Sequence, residues 1–325
     1  MDRRAFIATV TGGLLAAPHI AGAQPTRQVP VVGVLATAAT PQGASLRVLV
    51  QGLRDLGYID GKTIAIEIRS AGGNPDALPR LAAELVQLKV DVLYAIGPAA
   101  VRAARNATPV IPIVALDLET DPVQAGWVRS LARPGGNLTG LFLNFPGLTG
   151  KWLELLREAA PGIRRVGLLW DSTTGSAQVD AAKAAAQRFA IDLQVMEVRS
   201  SDDFDAALRA GLSAGSRAIV LLSSPLISSG SRQIADFVVK SRLPAISPFR
   251  RFADAGGLMA YGPNLQEFYR RSATYADKIL KGAKPGDLPI EQPTTFELVI
   301  NLKTANAIGL TIPESVLIRA DEVIQ

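Results

Sequence analysis

The sequence contains no cysteine. Disulfides, thiol catalysis and a lipid-modified cysteine are therefore excluded. Its one histidine is His19, inside a segment that reads as an export leader. Without that segment the chain has no imidazole, so histidine general bases, Ser-His-Asp triads and the common zinc sites are excluded by inventory. Beyond the leader, no apolar run is long enough for a membrane-spanning helix. Aromatic residues are few, at 6%. The net charge is +5, but the basic residues are scattered, as at Arg129, Arg133, Arg164, Arg165, Arg250 and Arg270. A nucleic-acid binder would cluster them with interleaved aromatics, so no nucleic-acid partner is expected, and neither a cofactor nor a metal.

The start of the chain points to export. Arg3-Arg4 precedes an apolar run through Val10, Leu14, Leu15 and Ile20, which ends in Ala21-Gly22-Ala23. That is a charged region, an apolar region and a small-residue cleavage site. The expectation is a signal peptide over 1–23, cleaved after Ala23, and a soluble periplasmic protein. Arg3-Arg4 with Phe6 also fits a twin-arginine signal, so the general secretory and twin-arginine routes both stay open. The remaining chain of about 300 residues exceeds what one core organises, which favours two domains.

Strand and helix signals alternate throughout. Val31 to Leu35, Thr63 to Ile68, Val90 to Ile96 and Val110 to Leu116 read as strands, with helical spacing between them. The pattern restarts after Pro161 with Val166 to Trp170, Leu193 to Val198 and Ala218 to Leu222. Such repetition predicts an α/β fold of two Rossmann-like lobes with parallel sheets, and ligands in such sheets bind outside the carboxyl ends of the strands. The expected division is 24–143 plus 264–325 for the first lobe and 144–263 for the second. The alternating segment Phe296 to Asn301 is thus expected to return to the first lobe.

Two enzyme motifs are matched only superficially. Gly57 to Thr63 resembles a phosphate-binding loop, but it is one residue short and leads into a strand rather than a helix. Gly211-Leu212-Ser213-Ala214-Gly215 matches a nucleophile elbow, but it runs from helix to strand and has no histidine to activate Ser213.

The candidate binding residues lie at strand ends and crossovers. Gly97-Pro98-Ala99 follows a buried strand and opens a helix. Free N–H groups there suit a carboxylate; an ordinary capped helix start is the other reading. Asp117 and Asp121 could receive an ammonium group, or Asp121 could simply cap the turn before Pro122. Glu119 lies in the same acidic loop. Thr37, Asp171, Ser223, Ser224 and Pro225 follow other strands, and Asn144 sits at the first crossover. An apolar wall is expected from Phe145, Trp170, Phe249 and Tyr261, although Phe249 and Tyr261 also read as lobe core. Trp127 and Trp152 read as helical packing residues.

Several longer stretches resemble a known family. They are Leu53 to Gly61, Leu131-Ala132-Arg133-Pro134-Gly135-Gly136-Asn137-Leu138-Thr139-Gly140, Asp254 to Pro263, and Phe296 to Lys303. In this order they are similar to the ABC transporter substrate-binding proteins of tryptophan type. The resemblance implies the type I periplasmic-binding-protein fold, with three crossovers near 143–145, near 261–263 and in 284–293. It also implies an amino-acid ligand, often aromatic. In many relatives a Ser or Thr precedes the proline that matches Pro98; Gly97 stands there instead. The expected function is capture of a small ligand by a monomer. That monomer would deliver it to the permease and ATPase subunits of an importer. A ligand-sensing periplasmic module that docks onto a membrane receptor is the alternative. An effector domain of a transcription regulator is disfavoured by the leader, and a carboxylate-only glycosidase by the lack of paired strand-end carboxylates.

Overall fold

The computed structural model describes residues 29–37, 43–143 and 145–325. The leader, 1–23, and Asn144 lie outside the described residues. The first sheet contains β1 (Val31–Ala36), β2 (Ala65–Ser70), β3 (Val92–Ile96), β4 (Ile113–Asp117) and β5 (Leu138–Phe142). All pair in parallel, in the order β2-β1-β3-β4-β5. β3, β4 and β5 are buried along their whole length, as strands covered on both faces must be.

The second sheet contains β6 (Arg165–Asp171), β7 (Asp192–Val198), β8 (Ala218–Leu221), β9 (Ala245–Ser247), β10 (Met259–Pro263), β11 (Phe296–Asn301) and β12 (Glu322–Ile324). Its order is β12-β11-β10-β9-β8-β6-β7. β10 and β11 pair antiparallel and the other neighbours pair in parallel. In both sheets the order of connection reverses at the first strand, between β1 and β3 and between β6 and β8. Such switch points open a crevice at the carboxyl ends of the strands. The fold is α/β with two lobes of mostly parallel strands, as the sequence predicts.

The C-terminal part corrects the expected division. Helix Leu265–Leu280 does cover the first sheet: the hydroxyl of Tyr94 donates to the carbonyl of Ser272 at 2.9 Å. The next stretch stays with that lobe, where Ile290 N–H donates to Leu131 O and Glu291 bridges beside Leu141. Residues 296–324 then join the second sheet. The reason is edge availability. Glu291 already bonds along the open edge of β5 through Phe142 N–H, whereas β10 has a free edge that the alternating Phe296–Asn301 segment fills. The chain therefore passes between lobes at 143–148, at 263–265 and at 291–296, the last slightly beyond the expected 284–293. Trp152 fastens two of these passages: it is fully buried and its indole N–H donates to Tyr261 O at 2.8 Å.

Gly140 shows how tightly the first sheet is built. It has φ +136°, and a Cβ there would stand 2.1 Å from the carbonyl oxygen of Ala115 on β4. Replacing it with alanine must push apart two paired backbones. The Gly140→Ala protein is expected to lose about 3 kcal/mol of stability, the upper end for overpacking. Urea unfolding followed by circular dichroism checks this, and a midpoint equal to the parent's would refute it.

Candidate functional site

The ends of β1, β3 and β4 face the ends of β6 and β8, and in this structure the two sets touch. From the first lobe, Gly97 follows β3 with φ +88° and ψ 159°, a conformation essentially reserved for glycine. Pro98 begins helix Pro98–Ala107, since proline suits a first helical position. Ala99 in the same turn is half-buried. From the second lobe, Ser224 caps helix Pro225–Ser229 by accepting from Ile227 N–H at 3.2 Å. Pro225 then lies directly over Gly97: a Cβ on Gly97 would be 2.7 Å from the Pro225 ring. What approaches Gly97 closely is thus the proline ring of the opposing lobe. The Gly97 N–H is used internally, donating to Leu116 O at 2.9 Å.

Around this contact lies a buried acidic group. Asp117, at the end of β4, is fully buried. Its Oδ1 accepts the N–H groups of Glu119 and Thr120, each at 3.0 Å. This turn aims the Glu119 side chain across the cleft, where Oε1 accepts the Ser223 hydroxyl at 2.5 Å. Ser223 is held by Gln178, which donates to its carbonyl and accepts from its N–H, both at 2.9 Å. Asp171, ending β6, accepts the Ser224 hydroxyl at 2.7 Å through Oδ2, and Thr173 N–H and hydroxyl through Oδ1. A second tie between lobes runs from the Arg102 guanidinium to Thr173 O at 2.6 Å.

Two polar atoms in this region are buried and have no hydrogen-bond partner: Asp117 Oδ2 and Thr37 Oγ1. Thr37 is 4% exposed, and its hydroxyl lies 3.7 Å from where a Gly97 Cβ would be. Buried polar groups without partners are costly. Burial also raises the Asp117 carboxyl above the ordinary range, against the hydrogen bonds it accepts and the pull of Arg102. Burial, reinforced by the neighbouring Asp117 charge, pushes Glu119 up to about 8, while the Ser223 hydrogen bond works the other way. On the helix Leu265–Leu280, Tyr269 reaches Ser45. Burial raises its phenol to about 12, with Glu119 adding a smaller push.

The apolar candidates divide. Phe145 and Phe249 meet edge to face, with centroids 5.9 Å apart, and Phe145 also packs on Trp152. Both phenylalanines are buried. Tyr261 instead stacks on Phe296 of β11 at 5.9 Å. Trp170 spends its indole N–H on Gly175 O in its own loop. Asp121 follows the capping reading, since its Oδ1 accepts from Val123 and Gln124 N–H. Trp127 lies in a turn, not a helix, under the Arg105 guanidinium. Glu119, named in the sequence only as part of the acidic loop, turns into the cleft; Gln178 and Tyr269 are the cleft residues that strand-end reasoning misses.

Chemically, the site offers carboxyl and hydroxyl groups but no imidazole or thiol. Among the described residues no group of His, Cys, Asp or Glu is arranged to hold a metal ion. The cluster suits the grip of a small cationic group. Residues 34–324 match the family described as ABC transporter substrate binding protein. The chain belongs to that family. A tyrosine-binding protein of Clostridioides difficile (strain R20291) is 27% identical over 265 residues, covering 80% of this chain and 75% of its own. An ABC domain in complex with L-Trp from Streptococcus pneumonia superposes with a TM-score of 0.81 at 27% identity, covering 91% of this chain and all of that one. A conserved domain protein from Vibrio cholerae O1 biovar eltor gives 0.82 at 28% identity with the same coverage. The family is one of binding proteins rather than enzymes, and no helix among the described residues is long and apolar enough to cross a membrane.

Proposed function

We propose that the protein captures an amino acid with an aromatic side chain between its lobes and hands it to the permease and ATPase of an importer. The observation that carries this reading is the pair of buried, unpartnered atoms, Asp117 Oδ2 and Thr37 Oγ1, within a carboxyl-rich seam between the lobes. An α-ammonium group placed there would supply the missing donor and offset the buried charge. Phe145, packed on Phe249 and Trp152 and bonded through its N–H to Leu118 O beside the acidic loop, would be uncovered toward a ring as the lobes part. The tyrosine-binding relative and the L-Trp complex support the same ligand class. Closure would be driven by the ligand's contacts with both lobes. The leader expected over 1–23 supports a site of action outside the cytoplasm.

Calorimetry with L-tyrosine, L-tryptophan and L-phenylalanine tests the reading, with L-leucine, L-glutamate and a neutral hexose as comparisons. At least one aromatic amino acid is expected to bind with a Kd of about 1 μM or tighter, roughly −8 kcal/mol. Binding of the hexose, with no heat from any amino acid, would overturn the assignment.

A further inference from the structure

We propose that Glu119 makes closure selective for a cationic ligand: a proton held at this carboxyl shuts the empty cleft, and the ammonium of a bound amino acid takes that proton's place. The geometry is specific. Glu119 is 4% exposed and reaches from the loop after β4 to a serine of the other lobe, 104 residues away in sequence. Its carboxyl faces Asp117 from its own loop, Asp171 from the end of β6, Ser223 after β8 and the Tyr269 phenol from helix Leu265–Leu280. Arg102, on helix Pro98–Ala107, is the cation that acts on this group, through Asp117, and its guanidinium is directed at Thr173 O. An ionised Glu119 in the shut cleft would add charge to two acidic neighbours without a cation of its own. Asp117 Oδ2, buried and without a donor once Glu119 is ionised, marks where one belongs.

The direction of the pH effect follows. In an open cleft Glu119 is hydrated and titrates in the ordinary carboxylate range, about 4.3. Shut, it holds its proton up to about 8. The proton's contribution to closure is therefore complete below the open-state value. It falls about tenfold per pH unit as pH rises between the two values, and is lost above the shut-state value. An ammonium ion removes this dependence because it compensates the ionised carboxylate. The charge selectivity rests on the amino-acid reading; the closure of the empty protein does not.

Small-angle scattering of the ligand-free protein at pH 5 and pH 8 separates the two. The wild type is expected to be compact at pH 5 and extended at pH 8. Glu119→Gln, which mimics the protonated form, should be compact at both. Thermal melting confirms that the variant folds. A wild-type radius unchanged between the two pH values, or a Glu119→Gln protein that follows the wild type, overturns the latch. In the second arm, L-tyrosine and 3-(4-hydroxyphenyl)propanoate are compared by calorimetry at pH 8. The wild type should prefer the amine at least 30-fold, and Glu119→Gln should reduce that preference at least tenfold. An undiminished preference overturns the role of Glu119. If none of the three aromatic amino acids binds, the amino-acid reading fails while the scattering result still decides the latch; if another of them binds in place of L-tyrosine, it and its desamino analogue are the pair compared.

Discussion

Replacing Gly97 with alanine is expected to weaken ligand binding by two to three orders of magnitude, about 3–4 kcal/mol, while leaving a folded protein. The substitution has two effects, and only the second weakens binding. The backbone at φ +88° and ψ 159° disfavours any side chain by about 1–3 kcal/mol, and this is felt whether the lobes are open or shut. The second effect exists only when shut, because the new Cβ would lie 2.7 Å from the Pro225 ring of the opposing lobe. Gly175 separates them. It has nearly the same backbone, φ 86° and ψ 173°, but a Cβ there would meet nothing within 4 Å. Gly175→Ala should lower the melting temperature yet bind ligand nearly as well as the parent. Equal affinities for the two alanine proteins would show that the Gly97–Pro225 contact is not part of capture.

The Asp117→Asn protein is expected to bind aromatic amino acids about 10- to 150-fold more weakly, because a charge-assisted hydrogen bond is worth about 1.5–3 kcal/mol. The amide oxygen can still accept from Glu119 and Thr120 N–H, as Oδ1 does now, so the turn should survive. What changes is Oδ2, the buried acceptor without a partner, which becomes a donor facing an ammonium. Melting temperature should hold or rise, since a buried carboxylate has been removed. Desamino analogues should bind no worse than before. Competition binding with amine and desamino ligands measures the contrast; a parallel loss for both would point to a collapsed turn instead.

The loops that matter most here are partly readable in the sequence because glycine and proline punctuate them. Gly97-Pro98 and Ser224-Pro225 announce strand-to-helix turns on both sides of the cleft, and the structure brings Gly97 and Pro225 together. The acidic loop is harder. Asp117, Glu119 and Asp121 look alike in sequence, and Asp121 before Pro122 carries a local capping signal that does not decide between a cap and a ligand contact. Glu119 has no local signal, because its partner Ser223 is 104 residues away. Phe296–Asn301 is legible as a strand from its alternation, but alternation names a face and not a sheet. Its assignment depends on which edge is open, and that edge belongs to β10. Tyr261 lies within β10, short of the crossover at 263–265, and its ring direction follows from β11, which stacks Phe296 upon it.

The path of the tail bears on when the protein becomes a protein. Residues up to Phe142 contain every strand of the first sheet, but one face awaits helix Leu265–Leu280. Residues up to Pro263 contain most of the second sheet, but β11 and β12 lie at 296–324. A ribosome that has made residues up to Pro263 has therefore completed neither lobe. Contacts that close over such separations form slowly, and until they do the chain exposes apolar sheet on both halves. Such a chain is expected to stay loose until its synthesis is nearly done. Over that interval its unpaired edges and uncovered faces are the surfaces that invite aggregation.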